Sequence, residues 1–400
     1  MAKPKIRFKG YTNDWEQRKW MNSVDISTEM VDPASGEYDD MPHIAPGNIE
    51  SFTGRILDNV RTVKEEQLIS GKFRFRPDDV VYGKINPQLG KYFYSSVDGL
   101  TSADAYVFKG KNGITQKFLF SVLQTSDFFK YSVSVSKRSG MPKINRDELN
   151  AYAFLAPSEE EQDKIGTFLL KIDNLITLHQ RKCDQAKKLK KYMLQKMFPK
   201  NNKSVPEIRF EGFSNDWEQR SLGEFIKNVA KKNKENLDLE PYAVTNDRGF
   251  IAQRDAHDDF GYMSNVDRTA YNIVPPNSFA YNPARINVGS LGYYAGRENV
   301  IVSSLYEVFQ TEKKIDDKFL WHWLRSDAFP KWIEKLQEGS VRLYFYYDKL
   351  IQCQMMVSTT EEQKKIGEYL DSLDHLITLH QKKCDQLKNL KKFMLQNMFV

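Results

Sequence analysis

The sequence predicts an α+β protein with two globular domains of one scaffold, joined by two long antiparallel coiled-coil helices with pseudo-two-fold symmetry. Two internal repeats predict this fold. The stretch NDWEQR occurs at Asn13–Arg18 and again at Asn215–Arg220, and a longer repeated segment ends first at Phe198 and then at Phe399. Repeats of this size divide the chain into two half-chains of nearly equal length. We expect domain 1 at residues 1–157, helix 1 at 158–200, domain 2 at 201–357 and helix 2 at 358–400.

The first repeat is longer than NDWEQR. PKIRFKGYTNDWEQR (Pro4–Arg18) corresponds to PEIRFEGFSNDWEQR (Pro206–Arg220), so each half-chain opens in the same way. We expect Trp15 and Trp217 to pack where each domain meets the long helices.

The second repeat has the pattern of a long helix. Pro157 and Ser158 precede a run of glutamates, a helix N-terminal signature, and Phe198-Pro199 ends the segment. A spacing of alternating four and three residues continues over nearly five heptads in both copies, which is typical of a coiled coil. The seam residues that we assign are Ile165, Leu169, Ile172, Ile176, His179 and Cys183 in the first copy, and Ile366, Leu370, Leu373, Ile377, His380 and Cys384 in the second.

Two matching seams in one chain favour an intramolecular antiparallel pair. The alternative is that each helix buries its apolar stripe in its own domain, although such helices rarely hold a strict seven-residue spacing for so long. We interpret His179 and His380 as polar residues that set the helix register rather than as catalytic groups.

The C-terminal parts of both helices are rich in lysine. Such residues suit a solvated helix end stabilised by the helix dipole, and we favour this over a phosphate contact. The lysines are Lys187, Lys188, Lys190, Lys191, Lys388, Lys391 and Lys392.

The regions between the repeats differ in sequence but share landmarks. Strand-like runs such as DVVYGKI and SFAYNPARI are separated by Gly, Pro and Asn turns. Lys117–Phe129 and Lys318–Phe329 each predict a short amphipathic helix, and a glycine-containing loop follows each one. One scaffold used twice with changed loops explains this pattern.

Two pairs of loops carry the candidate DNA-binding residues. Lys and Arg can donate to guanine, and Asn or Gln can pair with adenine, but the same polar groups could merely cap a tight turn. Both interpretations stay open for YGKINPQLGK and YNPARINVGS, whereas cations in the glycine loops suit phosphates better than bases. The candidates are Lys84, Asn86, Gln88, Lys91, Lys137, Arg138, Lys143, Asn282, Arg285, Asn287, Ser290 and Arg342.

Composition and missing motifs narrow the function further. The chain has 59 Lys and Arg against 53 Asp and Glu, a net charge of +6 that is compatible with nucleic acid. Its 3 Cys form no CxxC pair and its 6 His show no ligand spacing, so we expect no metal. An apolar run that could span a membrane is missing, and the N-terminus lacks a signal-peptide pattern, so we expect a cytoplasmic protein. We find no P-loop, methyltransferase motif or nuclease motif.

The chain resembles the DNA-specificity (S) subunits of type I restriction-modification enzymes. The resemblance rests on the paired NDWEQR segments, the two helices with EEQ-x-K-I-G and LITLHQ, the GMP-x-I-N loop and the YNP-x-R-I-N-x-GS segment. It covers essentially the whole chain.

The resemblance implies two target-recognition domains that each read one half of a split, asymmetric target in double-stranded DNA. It implies no catalysis and no cofactor on this chain. Two methyltransferase subunits would supply S-adenosylmethionine chemistry on adenine, and two restriction subunits would use ATP and Mg. The paired helices would help to dock the methyltransferase and would set the gap between half-sites. The alternatives are a stand-alone sequence-specific or architectural DNA-binding protein, and an enzyme with an unrecognised active site.

Overall fold

The computed structural model describes residues 3–137, 140–200, 203–246, 249–256, 267–339 and 343–400. The chain forms two compact units. Unit 1 comprises Met1–Lys182 and Leu379–Val400, and unit 2 comprises Cys183–Thr378. Among the residues that the structure describes, no helix has the length and apolarity that a membrane crossing requires.

The first half of the chain alternates short strands with short helices before one long helix. Its elements are β1 (Glu16–Lys19), α1 (Trp20–Ser23), β2 (Val24–Ile26), β3 (Met30–Val31), β4 (Pro42–His43), β5 (Arg61–Thr62), β6 (Lys72–Phe75), β7 (Val80–Gly83), β8 (Tyr92–Tyr94), β9 (Gly99–Thr101), β10 (Ala105–Gly110), α2 (Gln116–Leu123), α3 (Ser126–Val135), α4 (Arg146–Ala151), β11 (Ala153–Ala156) and α5 (Glu159–Lys196).

The second half repeats this plan. Its elements are β12 (Glu218–Ser221), β13 (Ile226–Asn228), β14 (Lys231–Lys232), β15 (Tyr242–Thr245), β16 (Gly249–Ala252), α6 (Gln253–Ala256), β17 (Asn272–Val274), β18 (Ser278–Tyr281), β19 (Leu291–Tyr294), β20 (Val300–Val302), β21 (Glu307–Thr311), α7 (Asp317–Leu324), α8 (Phe329–Leu336), α9 (Tyr347–Leu350), β22 (Gln354–Val357) and α10 (Thr360–Asn397).

Both units contain the same central sheet. Its strand order is β2-β10-β7-β8 in unit 1 and β13-β21-β18-β19 in unit 2, and all neighbours pair antiparallel. In each unit the strand of the NDWEQR segment pairs with the strand before the long helix in a separate two-stranded sheet. These sheets are β1-β11 in unit 1 and β12-β22 in unit 2. The prediction of one scaffold used twice is confirmed.

The units differ in their second sheet. Unit 1 has the order β3-β6-β9-β4-β5, whereas unit 2 has β14-β17-β20 and a separate β15-β16 hairpin. These strands come from the parts of the sequence that are not repeated. The two units therefore share the central sheet but differ in the second sheet.

The prediction of a single helix at Lys117–Phe129 is wrong, because this segment contains most of α2 and the start of α3. Lys318–Phe329 contains one short helix, as predicted, but α7 ends at Leu324 and α8 begins at Phe329. Thr125 ends α2 by donating its hydroxyl to the Val122 carbonyl, and it caps α3 by accepting from the Phe128 N–H at 3.3 Å. The break is therefore a side-chain capping effect that the apolar pattern conceals.

The long helices run antiparallel within each unit. In unit 1 the Cys384 thiol donates to the Ile176 carbonyl at 3.7 Å, and His179 lies beside His380. Higher residue numbers on α5 thus go with lower numbers on α10. In unit 2 the Cys183 thiol donates to the Ile377 carbonyl at 3.8 Å, in the same sense. Both contacts agree with the predicted antiparallel pair.

The seam residues have two different packing roles along each helix. Ile165 and Leu169 belong to the same buried cluster as Phe118 in unit 1, and Ile366 and Leu370 belong to the cluster of Phe319 in unit 2. The first turns of each helix thus complete the core of their own domain, as the alternative interpretation proposed. Farther along, the helices contact each other, and Ile172 and Ile176 pack with Leu387 in unit 1.

Two of the lysines that we expected at a solvated helix end are buried. Lys391 donates to Asp173 in unit 1, and Lys190 donates to Asp374 in unit 2. Each lysine is only 7% exposed, so for these two the expectation of a solvated charge is wrong. Each carboxylate lies on the opposite long helix, far away in sequence, and this is why the sequence pattern did not reveal the pairs.

The opening repeat anchors each long helix to its domain. Trp15 is buried against Phe118 and Phe399, with ring centroids 5.9 Å apart in both cases, and Trp217 packs on Phe198 and Phe319. The predicted packing of both tryptophans is confirmed.

The same repeat supplies an ion pair to the start of each helix. Arg7 donates twice to the buried Glu161, at 2.7 and 2.8 Å, and Arg209 does the same to Glu362. A bidentate pair fixes orientation as well as position. The PKIRF and PEIRF segments are therefore conserved between the halves for a structural reason.

Candidate nucleic-acid interface

The two candidate loops of unit 1 lie side by side. The Asn86 N–H donates to the Pro142 carbonyl at 2.8 Å, and the Ile144 N–H donates to the Lys84 carbonyl at 3.0 Å. Ile85 and Lys143 form the antiparallel bridge between them. Segments that lie more than fifty residues apart in sequence thus form one continuous surface at the end of β7.

The backbone of the first loop explains its residue types. Pro87–Leu89 form a 3-10 turn, flanked by Asn86 at φ 51° and Gly90 at φ 54°. The left-handed region favours glycine and tolerates asparagine. A side chain at Gly90 would also meet the Phe52 ring at 2.5 Å, so a larger residue there would displace the turn.

Lys84 is a half-buried cation at the base of this surface. Its ammonium lies 4.9 Å from the centre of the Tyr106 ring, and the Arg146 guanidinium lies 6.0 Å from the same ring. Burial lowers the pKa of Lys84, the nearby carboxylate of Asp104 opposes this change, and the charges of Lys143 and Arg146 lower the pKa further. A phosphate placed among these three cations would relieve their mutual repulsion.

The other predicted residues of unit 1 have different environments. Gln88 is exposed, and its amide N–H donates to the Asn86 side-chain oxygen at 3.2 Å. Lys91 donates to the Ile49 carbonyl, which gives it a role in holding the fold. Lys137 and Lys143 are exposed, as phosphate contacts require, and Arg138 lies outside the described residues.

Unit 2 joins its loops in a related way. The Phe345 N–H donates to the Pro283 carbonyl at 3.1 Å, so the loop after β18 lies against the loop before α9. Ile286–Val288 form a 3-10 turn that ends at Gly289 with φ 89°. The frame that presents the loops is therefore common to both units.

The predicted residues of unit 2 separate into two groups. The Asn282 side chain accepts from the Ala284 N–H at 3.0 Å, and the buried Ser290 hydroxyl donates to the Val244 carbonyl at 3.3 Å. Both shape the turn. Arg285 and Asn287 are exposed beside it, and Arg342 lies outside the described residues.

Two cations of this region were not among the candidates predicted from the sequence. Arg146 follows the GMPKIN stretch directly and lies over Tyr106, and Arg325 lies over Trp321 at 4.9 Å. A cavity of about 370 Å³ in unit 2 is lined by Trp321, Arg325 and the predicted Asn287. The four-residue spacing of Trp321 and Arg325 on a helical stretch was the available signal.

One group in unit 2 has the geometry of metal ligands. His322, Asp371 and Asp374 place one ligand atom each within 4.8 Å of one another. Lys318 lies 3.0 Å from Asp371, however, and Lys190 is bound to Asp374. A cation would have to displace both ammonium groups, so the group is better described as a partly buried charge network.

Comparison with known proteins agrees with this arrangement. The profile of the family described as "Type I restriction modification DNA specificity domain" matches residues 29–188 and 214–389, one match in each half of the chain. The chain belongs to this type I DNA specificity family. The two matches cover both pairs of loops and most of both long helices.

Individual relatives are distant. A 153-residue stretch is 31% identical to the EcoDI specificity subunit of Escherichia coli, covering 38% of this chain and 33% of that protein. The chain thus matches about a third of the length of this relative. The MjaVIII specificity subunit of Methanocaldococcus jannaschii is 25% identical over 74% of this chain and 72% of its own length.

A solved structure shows that the fold is shared. The S subunit of a type I restriction-modification system from M. genitalium superposes with a TM-score of 0.68, over 100% of this chain and 99% of that one. At 13% identity this likeness concerns the fold alone.

Proposed function

We propose that this chain is the DNA-specificity subunit of a type I restriction-modification enzyme. Each unit would read one half of a bipartite, asymmetric target in double-stranded DNA through its pair of joined loops. The observation that carries the proposal is the combination of a common loop-presenting frame with different exposed side chains. The turn of unit 1 presents Gln88, whereas the turn of unit 2 presents Asn287 together with Arg285. Two different readers on one scaffold suit two different half-sites.

The chain itself would be non-catalytic. In this proposal the methyltransferase subunits bring S-adenosylmethionine and methylate adenine, and the restriction subunits bring ATP and Mg. The specificity subunit positions them on the DNA. The relatives are named as specificity subunits, which supports this division of roles.

The long helices offer a docking surface for the methyltransferase subunits. Both helices expose apolar residues at matching positions, in pairs three residues apart that share a helix face. Single exposed apolar residues are ordinary, but the recurrence of the whole set on both helices indicates a common partner. The residues are Leu175, Leu178, Leu189 and Tyr192 on α5, and Leu376, Leu379, Leu390 and Phe393 on α10.

A reconstitution experiment tests the proposal. The chain, the methyltransferase subunit and their mixture are each incubated with S-adenosylmethionine and a pool of random duplexes, and the methylated duplexes are sequenced. We expect methylation of one split sequence only in the mixture. Methylation by the chain alone would contradict the non-catalytic role. A chain that binds one DNA sequence tightly, but does not bind the methyltransferase subunit, would favour a stand-alone DNA-binding protein.

A further inference from the structure

The recognition turns of the two units share a feature beyond their backbone. Leu89 is the last residue of its 3-10 turn and Val288 is the last residue of the corresponding turn. Each is followed by a left-handed glycine. Leu89 is 45% exposed and Val288 is 52% exposed, although both side chains are aliphatic. The same position therefore presents an apolar group to solvent in two domains whose loops otherwise differ.

An amide precedes each aliphatic residue. The turns read Gln88-Leu89-Gly90 and Asn287-Val288-Gly289, so both follow the order amide, aliphatic, glycine. Gln88 and Asn287 are both exposed. An amide and an aliphatic group next to each other on one exposed turn form a composite surface with a polar and an apolar part.

The amides keep the groups that base reading requires. The Gln88 side chain uses one N–H to donate to Asn86, which leaves its carbonyl oxygen and its second N–H for a ligand. The Asn287 amide makes no hydrogen bond to any part of the chain that the structure describes. A free carbonyl and a free N–H are the two groups that pair with N6 and N7 of adenine.

The aliphatic groups match the other side of the same base pair. In the major groove an A·T pair presents the adenine N6 and N7 groups together with the 5-methyl group of thymine. A valine is too short for the wedge that unstacks base steps, a role taken mostly by larger side chains. A methyl contact in the major groove thus suits both Leu89 and Val288.

The facing loops extend this apolar surface. Met141 is 67% exposed and precedes Pro142, whose carbonyl accepts from the Asn86 N–H. Leu343 is 41% exposed in the corresponding loop of unit 2, two residues before the Phe345 N–H that bonds Pro283. Each recognition surface therefore carries aliphatic groups on both of its loops.

We propose that each turn reads A·T base pairs through this two-part surface, with Gln88 or Asn287 on adenine and Leu89 or Val288 on a thymine methyl group. The proposal rests on the proposed function, because it assumes that these loops enter the major groove. It assigns specificity to two aliphatic residues, one for each half-site.

The test uses two chemical substitutions in the DNA. The target is first selected from random duplexes with the wild-type chain in complex with its methyltransferase subunit. Each thymine is then replaced by deoxyuridine, which removes only the 5-methyl group, and each adenine by 7-deazaadenine, which removes only N7. Affinity is measured by fluorescence anisotropy at fixed salt.

We expect one thymine in each half-site whose replacement weakens wild-type binding about fourfold, the loss that one buried methyl group gives. Leu89→Ala should lose this sensitivity in one half-site only, and Val288→Ala in the other. Gln88→Ala and Asn287→Ala should lose the sensitivity to 7-deazaadenine in the same two halves.

Matched controls are exposed aliphatic residues outside the recognition loops. Ile69→Ala in unit 1, where the side chain is 87% exposed, and Leu305→Ala in unit 2, at 68%, should keep the wild-type response to deoxyuridine. If no thymine replacement weakens the wild type, or if Leu89→Ala and Val288→Ala keep its sensitivity, the proposal is wrong. If the wild type selects no sequence at all, the proposed function itself fails.

Discussion

Nδ1 of His179 lies 3.0 Å from Nδ1 of His380, so two residues at matching positions of the sequence repeat contact each other. One ring must donate its Nδ1–H and the other must accept, which requires two different tautomers for two equivalent residues. Burial lowers the pKa of His179, and the positive charges of His380, Lys182 and Lys383 lower it further. The folded state therefore favours the neutral form of His179.

The first prediction concerns the sensitivity of the fold to acid. Because the folded-state pKa of His179 is below its unfolded value, the unfolded chain binds more protons once the pH falls below about 6.5. Stability should therefore decrease as the pH drops from 7.5 to 5.5. In the double variant His179→Gln, His380→Gln the melting temperature should decrease less over this range.

Buried His322 also has a lowered pKa, caused mainly by burial, so some pH dependence should remain in the double variant. The triple variant that adds His322→Gln separates the two sources. If the double variant followed the wild-type pH profile, the acid sensitivity that we assign to His179 would be wrong.

The second prediction concerns the buried pair of Lys391 and Asp173. Lys391→Met should destabilise the protein by about 3 kcal/mol, because it leaves a buried carboxylate without its partner. The double variant Lys391→Met, Asp173→Leu should recover most of this loss, because an apolar pair can replace a buried ion pair. Thermal unfolding of the single and double variants checks both values. A double variant as unstable as the single one would contradict this account.

The third prediction concerns the anchor of each long helix. Arg7→Ala should lower the free energy of unfolding by about 3 kcal/mol, since Glu161 is fully buried and would lose its bidentate partner. The matched control is Arg18→Ala, whose pairing with Glu16 is exposed and should contribute less than about 1 kcal/mol. Equal effects of the two substitutions on unfolding would show that the Arg7 pair is not a structural anchor.

The sequence was sufficient to predict the frame. The repeated NDWEQR segments and the heptad spacing predicted two equivalent domains and two paired helices. Repetition and apolar periodicity can be read directly from the sequence, and the folded chain keeps both. The roles of Lys190 and Lys391 could not be predicted, since each partner carboxylate lies on the other long helix. The break at Thr125 was missed because capping depends on one hydroxyl.

The position of the recognition surface could be predicted, but the side chains that it exposes could not. Lys91, Asn282 and Ser290 have the residue types of DNA readers, yet the structure engages them with the backbone of their own unit. Leu89 and Val288 were overlooked because only polar residues were considered as readers. Which side chains remain exposed depends on the tertiary contacts of each turn, and residue type alone does not define these.

The fourth prediction separates the two kinds of DNA contact. Arg285→Ala should weaken the binding free energy for the selected target by about 1–3 kcal/mol, and it should relax the base preference at one base pair of one half-site. Lys143→Ala should weaken binding to all sequences and reduce the salt dependence by about one phosphate contact. Affinities measured at several salt concentrations, with target and random duplexes, distinguish them. A change of base preference in Lys143→Ala would contradict its assignment to phosphate.

The fifth prediction concerns partner docking. Leu178→Asp and Leu379→Asp place a charge on the exposed apolar face of each long helix and should weaken the complex with the methyltransferase subunit at least tenfold. The control is Lys187→Asp, at an exposed position nine residues after Leu178 and therefore on the other side of the same helix, and it should have little effect. Co-purification and analytical ultracentrifugation measure the complex. Unchanged assembly in the leucine variants would place the docking surface elsewhere.

The most direct test of the two-reader account is a genome-wide map of methyladenine in cells that produce the chain with its methyltransferase subunit. The account predicts one split motif, with two half-sites at a fixed spacing. Exchange of residues 221–357 for those of another family member should change one half-site and leave the other intact. A continuous motif, or a change of both half-sites together, would contradict it.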